Sequence, residues 1–158
     1  MKKLAVATVM LAIFVFAAGC GSGQSATAPP DESKPTDESK SAESEVGETI
    51  RAEGGAFTRV SPEELNRAAE TQDFVLVNTH IPFAGDLPRT DLSIPYDEIA
   101  DNLDELPGKD RRIVLYCQGG PMSDEAARTL VGLGYTDVWD LGGGMDAWQS
   151  AGFKLVGV

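Results

Sequence analysis

Cysteine and histidine are nearly missing from this 158-residue chain, which has two of the first, Cys20 and Cys117, and one of the second, His80. Two cysteines cannot build the multi-bridge framework by which small secreted domains compensate for a thin core. A sole histidine with one free thiol makes no convincing metal site, so neither a metal nor a cofactor is expected. No second cysteine lies near Cys117 to resolve a mixed disulfide, which disfavours thioredoxin-like exchange. Positive charge is scarce as well: 13 Lys and Arg stand against 25 Asp and Glu, a formal net of −12. That balance, with no basic patch and no Arg interleaved with aromatics, excludes nucleic acid as a partner. Long apolar runs are lacking too. Leu4–Ala18 falls short of the about 20 residues that span a bilayer comfortably.

The context of that run is informative. Lys2 and Lys3 precede it, and Ala17-Ala18-Gly19-Cys20 ends it. A charged start, a short apolar core and small residues at the end describe an export signal over residues 1–19. The ending resembles the lipobox of bacterial lipoproteins. The resemblance implies cleavage before Cys20, lipid on its sulfur, and a mature protein held by a lipid anchor at the extracytoplasmic face of the cell membrane. Two or more acyl chains anchor stably where one binds only marginally. Residues 20–55 then read as the lipidated cysteine and an acidic tether, with a near-repeat at Asp31-Glu32-Ser33-Lys34 and Asp37-Glu38-Ser39-Lys40. Large apolar residues are almost absent before Ile50, so the stretch cannot offset its ordering entropy.

Residues 56–158 are long enough for one core and carry 17 acidic and 8 basic residues. Ser61-Pro62-Glu63-Glu64 is a helix start, with a serine cap, proline at the first helical position and a capping-box glutamate. Phe74–Val77 and Arg112–Tyr116 are short apolar strands of the kind buried on both sides. The connection from Asn78 to Pro95 is expected to be irregular, and Asp97–Leu106 to be a short helix. Ser123–Leu133 reads as an amphipathic helix closed by Gly134, Val138–Leu141 as the last strand, and Met145–Ser150 as a final short helix. Trp139 and Trp148 fall in packing positions. The fold class that follows is α/β, a small parallel sheet with helices on both faces.

Cys117 stands at the C-terminal tip of the Ile113–Tyr116 strand, before Gln118-Gly119-Gly120-Pro121-Met122-Ser123. Open α/β sheets place their ligands at such tips. The loop and the helix start behind it can aim backbone N–H groups at the sulfur, which favours a reactive thiolate. A small buried hydrophobe is the alternative reading of the cysteine. Asp124 and Glu125 suit the helix dipole but oppose negative charge nearby. His80 is expected to make a loop hydrogen bond, and Arg89 to be exposed. Gly142-Gly143-Gly144 lacks the Lys-Ser/Thr pair of a phosphate loop and reads as a turn.

Three stretches resemble a single rhodanese domain, of the sulfurtransferase family, over roughly Phe57–Leu155. These are Ser61-Pro62-Glu63-Glu64-Leu65, the Ile113–Ser123 strand and loop, and the closing pattern Gly134-Tyr135, Val138, Leu141, Gly143-Gly144-Met145, Ala147-Trp148. The resemblance implies that Cys117 accepts sulfane sulfur as a persulfide, with residues 118–123 as the substrate-binding loop. Three features depart from the family pattern. Met122 stands where many members carry an arginine, Asn78-Thr79-His80 where an Asp-x-Arg is common, and the usual Gly-His-Ile segment is missing. A donor that needs no loop cation is therefore expected, a polysulfide or persulfide before thiosulfate, with a thiol or cyanide as acceptor. The alternative is a catalytically weak or inactive binding module. A cysteine phosphatase would require the absent loop arginine.

Overall fold

Strand pairing in the computed structural model, which describes residues 46–71 and 73–158, follows the alternation of strands and helices in the sequence. The expected signal, the expected lipidation site Cys20 and the expected tether up to residue 45 lie outside the described residues. The elements are β1 (Glu48–Ala52), β2 (Gly55–Val60), α1 (Pro62–Thr71), β3 (Val75–Asn78), β4 (Leu92–Ser93), β5 (Ile113–Tyr116), α2 (Pro121–Gly132), β6 (Val138–Leu141) and α3 (Gly144–Ser150). One sheet holds the strands in the order β1-β2-β6-β5-β3-β4. All neighbours run parallel except β1, an antiparallel edge on β2.

The unbroken apolar run of β5 is required because both of its faces are covered. Ile113 and Leu115 pack with Ala126, Ala127 and Leu130 of α2. Val114 and Tyr116 point the other way, into a second core with Leu65 of α1 and Met145 and Trp148 of α3. Trp139 and Trp148 are both buried, and the indole of Trp148 donates to Lys154 O at 3.2 Å. Among the described residues no helix is long and apolar enough to cross a membrane.

Local signals work as the residues dictate at two helix ends. Ser61 Oγ accepts from Glu64 N at 3.2 Å, and Glu64 returns a carboxylate oxygen to Ser61 N at 2.8 Å. At the end of α2, Gly134 N donates to Val131 O and Tyr135 N to Leu130 O, the paired bonds of a Schellman turn.

Three expectations need correction. The tether does not run to residue 55: β1 and β2 form a hairpin, with Ile50 and Ala52 packed on the α2 side of the core. This edge is held by ladder bonds and by β2 pairing with the distant β6, which its own thin apolar content does not announce. The segment 97–106 is a series of turns and not a helix. Glu98, Asp101, Glu105 and Leu106 donate to carbonyls three residues back. The Asn102 side chain takes Glu98 O at 2.8 Å, the carbonyl that a continuing α-helix would give to the Asn102 amide. Finally, α2 begins at Pro121, capped by Gly120, two residues before the expected start at Ser123, which lies inside its first turn. Two smaller differences concern the sheet: β3 sits one residue later than expected, and β4 lies within the connection read as irregular.

Candidate active site

The parallel strands end together at one edge of the sheet, and Cys117 is the first residue beyond β5 there. Its side chain is buried, 1% exposed, yet it forms the floor of a cavity of about 280 Å³ with His80, Gln118, Gly119, Pro121, Met122 and Asp146. The sulfur accepts a hydrogen bond from Gly120 N at 3.0 Å and has the Ser123 hydroxyl at 3.6 Å. Gly120 takes φ 106°, a conformation open to glycine, at the point where the loop turns into α2.

The loop's carbonyls are occupied from behind. Met145 N donates to Cys117 O and Asp146 N to Gln118 O, both at 2.9 Å, so the first turn of α3 clamps the loop. Gly120 O accepts from Asp124 N and from Ser123 Oγ, both at 3.0 Å. Gly144 makes the clamp possible: at φ 56° it comes so close that a Cβ would sit 2.2 Å from Cys117 O. The glycine triplet read as a plain turn is therefore the bracket of the cysteine loop. Thr79 closes the other flank, with N and Oγ1 both on Tyr116 O at 2.8 and 3.0 Å.

Of the sequence-derived site residues, the structure brings Cys117, Gln118, Gly119, Pro121 and Met122 to one cavity, with Gly120 and Ser123 bonded to the sulfur behind it. His80 joins the cavity. Its backbone N, not its ring, makes the loop hydrogen bond, to Asn78 Oδ1 at 3.0 Å, while ring Nδ1 is buried without a partner among the described residues. The loop beyond it is tied down by Asn78 Nδ2, donating to Gly85 O and Asp86 Oδ1, and by Tyr116, whose hydroxyl donates to Asp86 at 3.0 Å. Burial pushes that phenol's pKa up. Arg89 is exposed, and its guanidinium caps Ala69 O near the end of α1, far along the chain from Cys117.

Two charged residues, Arg59 and Asp140, escape the sequence reading, which takes Asp124 only as a charge at a helix start. Arg59 of β2, Asp124 of α2 and Asp140 of β6 line a second cavity, of about 410 Å³, with Gly119, Gly120, Pro121 and Gly143. Arg59 Nε donates to Asp140 at 3.0 Å and its terminal nitrogen to Asp124, which Arg128 also holds at 2.6 Å. Burial pulls Arg59 down, but its two carboxylate partners outweigh this and leave it raised. For Asp124 burial pushes up, and the bonds from Arg128 and Arg59 more than reverse it. For Asp140 burial wins: the carboxyl stays raised against the pull of Ser123 and Arg59. The signal for this cluster was an aspartate in the middle of a buried strand; Arg59 is its register partner across β2 and β6. Asp146 of α3, at the first cavity, was also missed.

Known proteins share this arrangement of sequence and fold. A sulfurtransferase from Allochromatium vinosum is 37% identical over 93 residues, covering 57% of this chain and 85% of that protein. The thiosulfate sulfurtransferase GlpE of Pseudomonas syringae is 34% identical over 96 residues, covering 60% of this chain and 89% of its own length. The crystal structure of a rhodanese-like domain protein from Staphylococcus aureus matches with a TM-score of 0.51 at 29% identity, over 57% of this chain and 89% of that one. Residues 61–151 match the rhodanese-like domain family, and the chain belongs to it.

Proposed function

We propose that this chain transfers sulfane sulfur through a persulfide on Cys117, to a thiol or cyanide acceptor. The observation that carries the reading is the 3.0 Å bond from Gly120 N to the sulfur at the floor of an open cavity. In loading, the thiolate attacks the terminal sulfur of a polysulfide. A new S–S bond forms at Cys117, the donor's S–S bond breaks, and its electron pair leaves with the shortened polysulfide. In discharge, an acceptor thiolate attacks the outer sulfur and the electron pair returns to Cys117 Sγ.

The donor is a polysulfide or persulfide in preference to thiosulfate. Among the described residues no Lys or Arg lines the Cys117 cavity, and Arg59 in the neighbouring one is committed to Asp124 and Asp140. A compact dianion meets no free cation among the described residues there, and Asp146 repels it. Lipid on Cys20 would hold the domain at the extracytoplasmic face of a membrane. A Cys20→Ser variant recovered from the soluble fraction would support that anchor.

The test is intact mass after exposure to polysulfide. A gain of about 32 Da, one sulfur atom, on Cys117 is expected, and none in Cys117→Ser. Thiocyanate release from cyanide then measures turnover. No gain on a folded protein removes the transfer reading and leaves a non-catalytic rhodanese-like binding module.

A further inference from the structure

His80, the chain's single histidine, stands at the sheet's rim beside the nucleophile. The register of β3 on β5 pairs Asn78 with Tyr116, and Thr79 N donates to Tyr116 O, so the residue after Thr79 leaves the sheet next to the cysteine loop. His80 lines the cavity floored by Cys117, and the titratable groups that share it are the Cys117 thiol and Asp146 of α3. Of the two ring nitrogens, Nδ1 is the one sealed from solvent with no hydrogen-bond partner among the described residues. Nε2 is then the polar edge that the ring offers to the cavity. A neutral imidazole carries one proton, on one nitrogen or the other. On Nδ1 it would be a buried N–H without an acceptor, which folded proteins rarely keep, whereas an unused lone pair is the milder omission.

We infer that His80 carries its proton on Nε2 and is the side-chain donor that receives the anionic end of a reagent bound above Cys117. Naming that anion as a persulfide or polysulfide rests on the transfer reading; the donor itself does not. The Gly120 N–H is occupied with Sγ, and the outer atoms of a longer anion project past it into the cavity. There Asp146 opposes negative charge, and the imidazole N–H offsets that repulsion. The bonds made and broken are those of sulfur transfer alone. His80 keeps its proton throughout, so it favours an anionic reagent without adding a charge.

Two measurements on the full chain test this. With a single histidine in the sequence, a long-range proton–nitrogen correlation spectrum of the isotope-labelled protein reads one ring without further assignment. At about pH 9, where an ordinary imidazole is neutral, the proton-bearing nitrogen is expected to be Nε2, the one coupled to both carbon-bound ring protons. A proton on Nδ1, or an even mixture, overturns the inference. The second measurement compares alkylation of Cys117 by iodoacetate and by iodoacetamide, located by peptide mass; the reagents share a reacting carbon and differ in an anionic or neutral tail. His80→Leu should lower the iodoacetate rate about tenfold relative to iodoacetamide, the effect of one hydrogen bond to a charged group, while His80→Gln, which keeps an N–H, stays within about twofold of the parent. His80→Phe, a ring without a donor, carries the same expectation where the leucine variant fails to fold. An unchanged ratio, or the same fall in His80→Gln, overturns the inference. Absence of sulfur loading in the parent, with both results as expected, would remove the transfer reading and leave this role of His80 standing. Sulfur loading with an unchanged alkylation ratio would do the reverse.

Discussion

Two strand–turn–helix units lie side by side in this sheet, β5 to α2 and β6 to α3, and each turns on glycine. In the first, the turn carries Cys117 and its amide at Gly120 serves the sulfur. In the second, the opening amides of α3 go to Cys117 O and Gln118 O. The same local architecture has one copy that lines the cysteine cavity and one used as its bracket. Glycine therefore has two meanings here: at exposed Gly119 a built Cβ would make an ordinary contact with Asp146 at 3.6 Å, whereas at Gly144 that atom would be 2.2 Å from a carbonyl.

The sharpest way to break the comparison is a pair of alanines. Gly144→Ala should cost about 2–4 kcal/mol, since overpacking and an unfavourable φ combine against backbone that cannot move aside. Gly119→Ala should stay within about 0.5 kcal/mol, as for other exposed positions. Urea midpoints of the two decide it, and equal losses would refute the division of labour. A smaller effect concerns charge in the first unit. Met122→Arg places a cation at the cavity and should raise kcat/KM for thiosulfate about tenfold while changing polysulfide use little, as expected for one favourable charge at an anion site. Next, Ser61→Ala removes a helix cap remote from both units and should cost about 1 kcal/mol with Cys117 alkylation unchanged.

The last prediction concerns pH and is directional. The Asp140 carboxyl is raised above its ordinary 3.8 by burial, so its contribution to stability is present below that value and is lost as pH rises through the raised one. Asp124 runs the other way; its pKa is depressed, and its contribution is lost as pH falls below 3.8 through the depressed value. The stability of Asp140→Asn relative to the parent should therefore increase as pH rises from below 3.8 and then level off. A difference that shrinks over that range would show that the Arg59 pairing outweighs burial.

What could be read from the chain was local. The capping box at Ser61, the apolar β5, Gly134 behind α2 and the glycines after β6 each act within a few residues, and Cys117 was placed by the strand and loop around it. What escaped was decided across the chain. The β1–β2 hairpin is held by ladder bonds and by β6, some 80 residues on, while its own side chains look like tether. Arg59 and Asp140 are meaningful only once that register is known. Residues 97–106 have helical spacing, yet an asparagine side chain takes the carbonyl that the helix needed.

The occupied carbonyls of the cysteine loop have a consequence for the solution in which the protein works. With the oxygens of residues 117, 118 and 120 all engaged, the loop turns donors toward the sulfur without any net charge. Dissolved ions screen monopoles over about 10 Å at 0.1 M, but they cannot intervene between an amide and an atom in contact with it. A site built this way should keep its grip on anionic sulfur from dilute to saline surroundings, where one built on an exposed arginine would weaken.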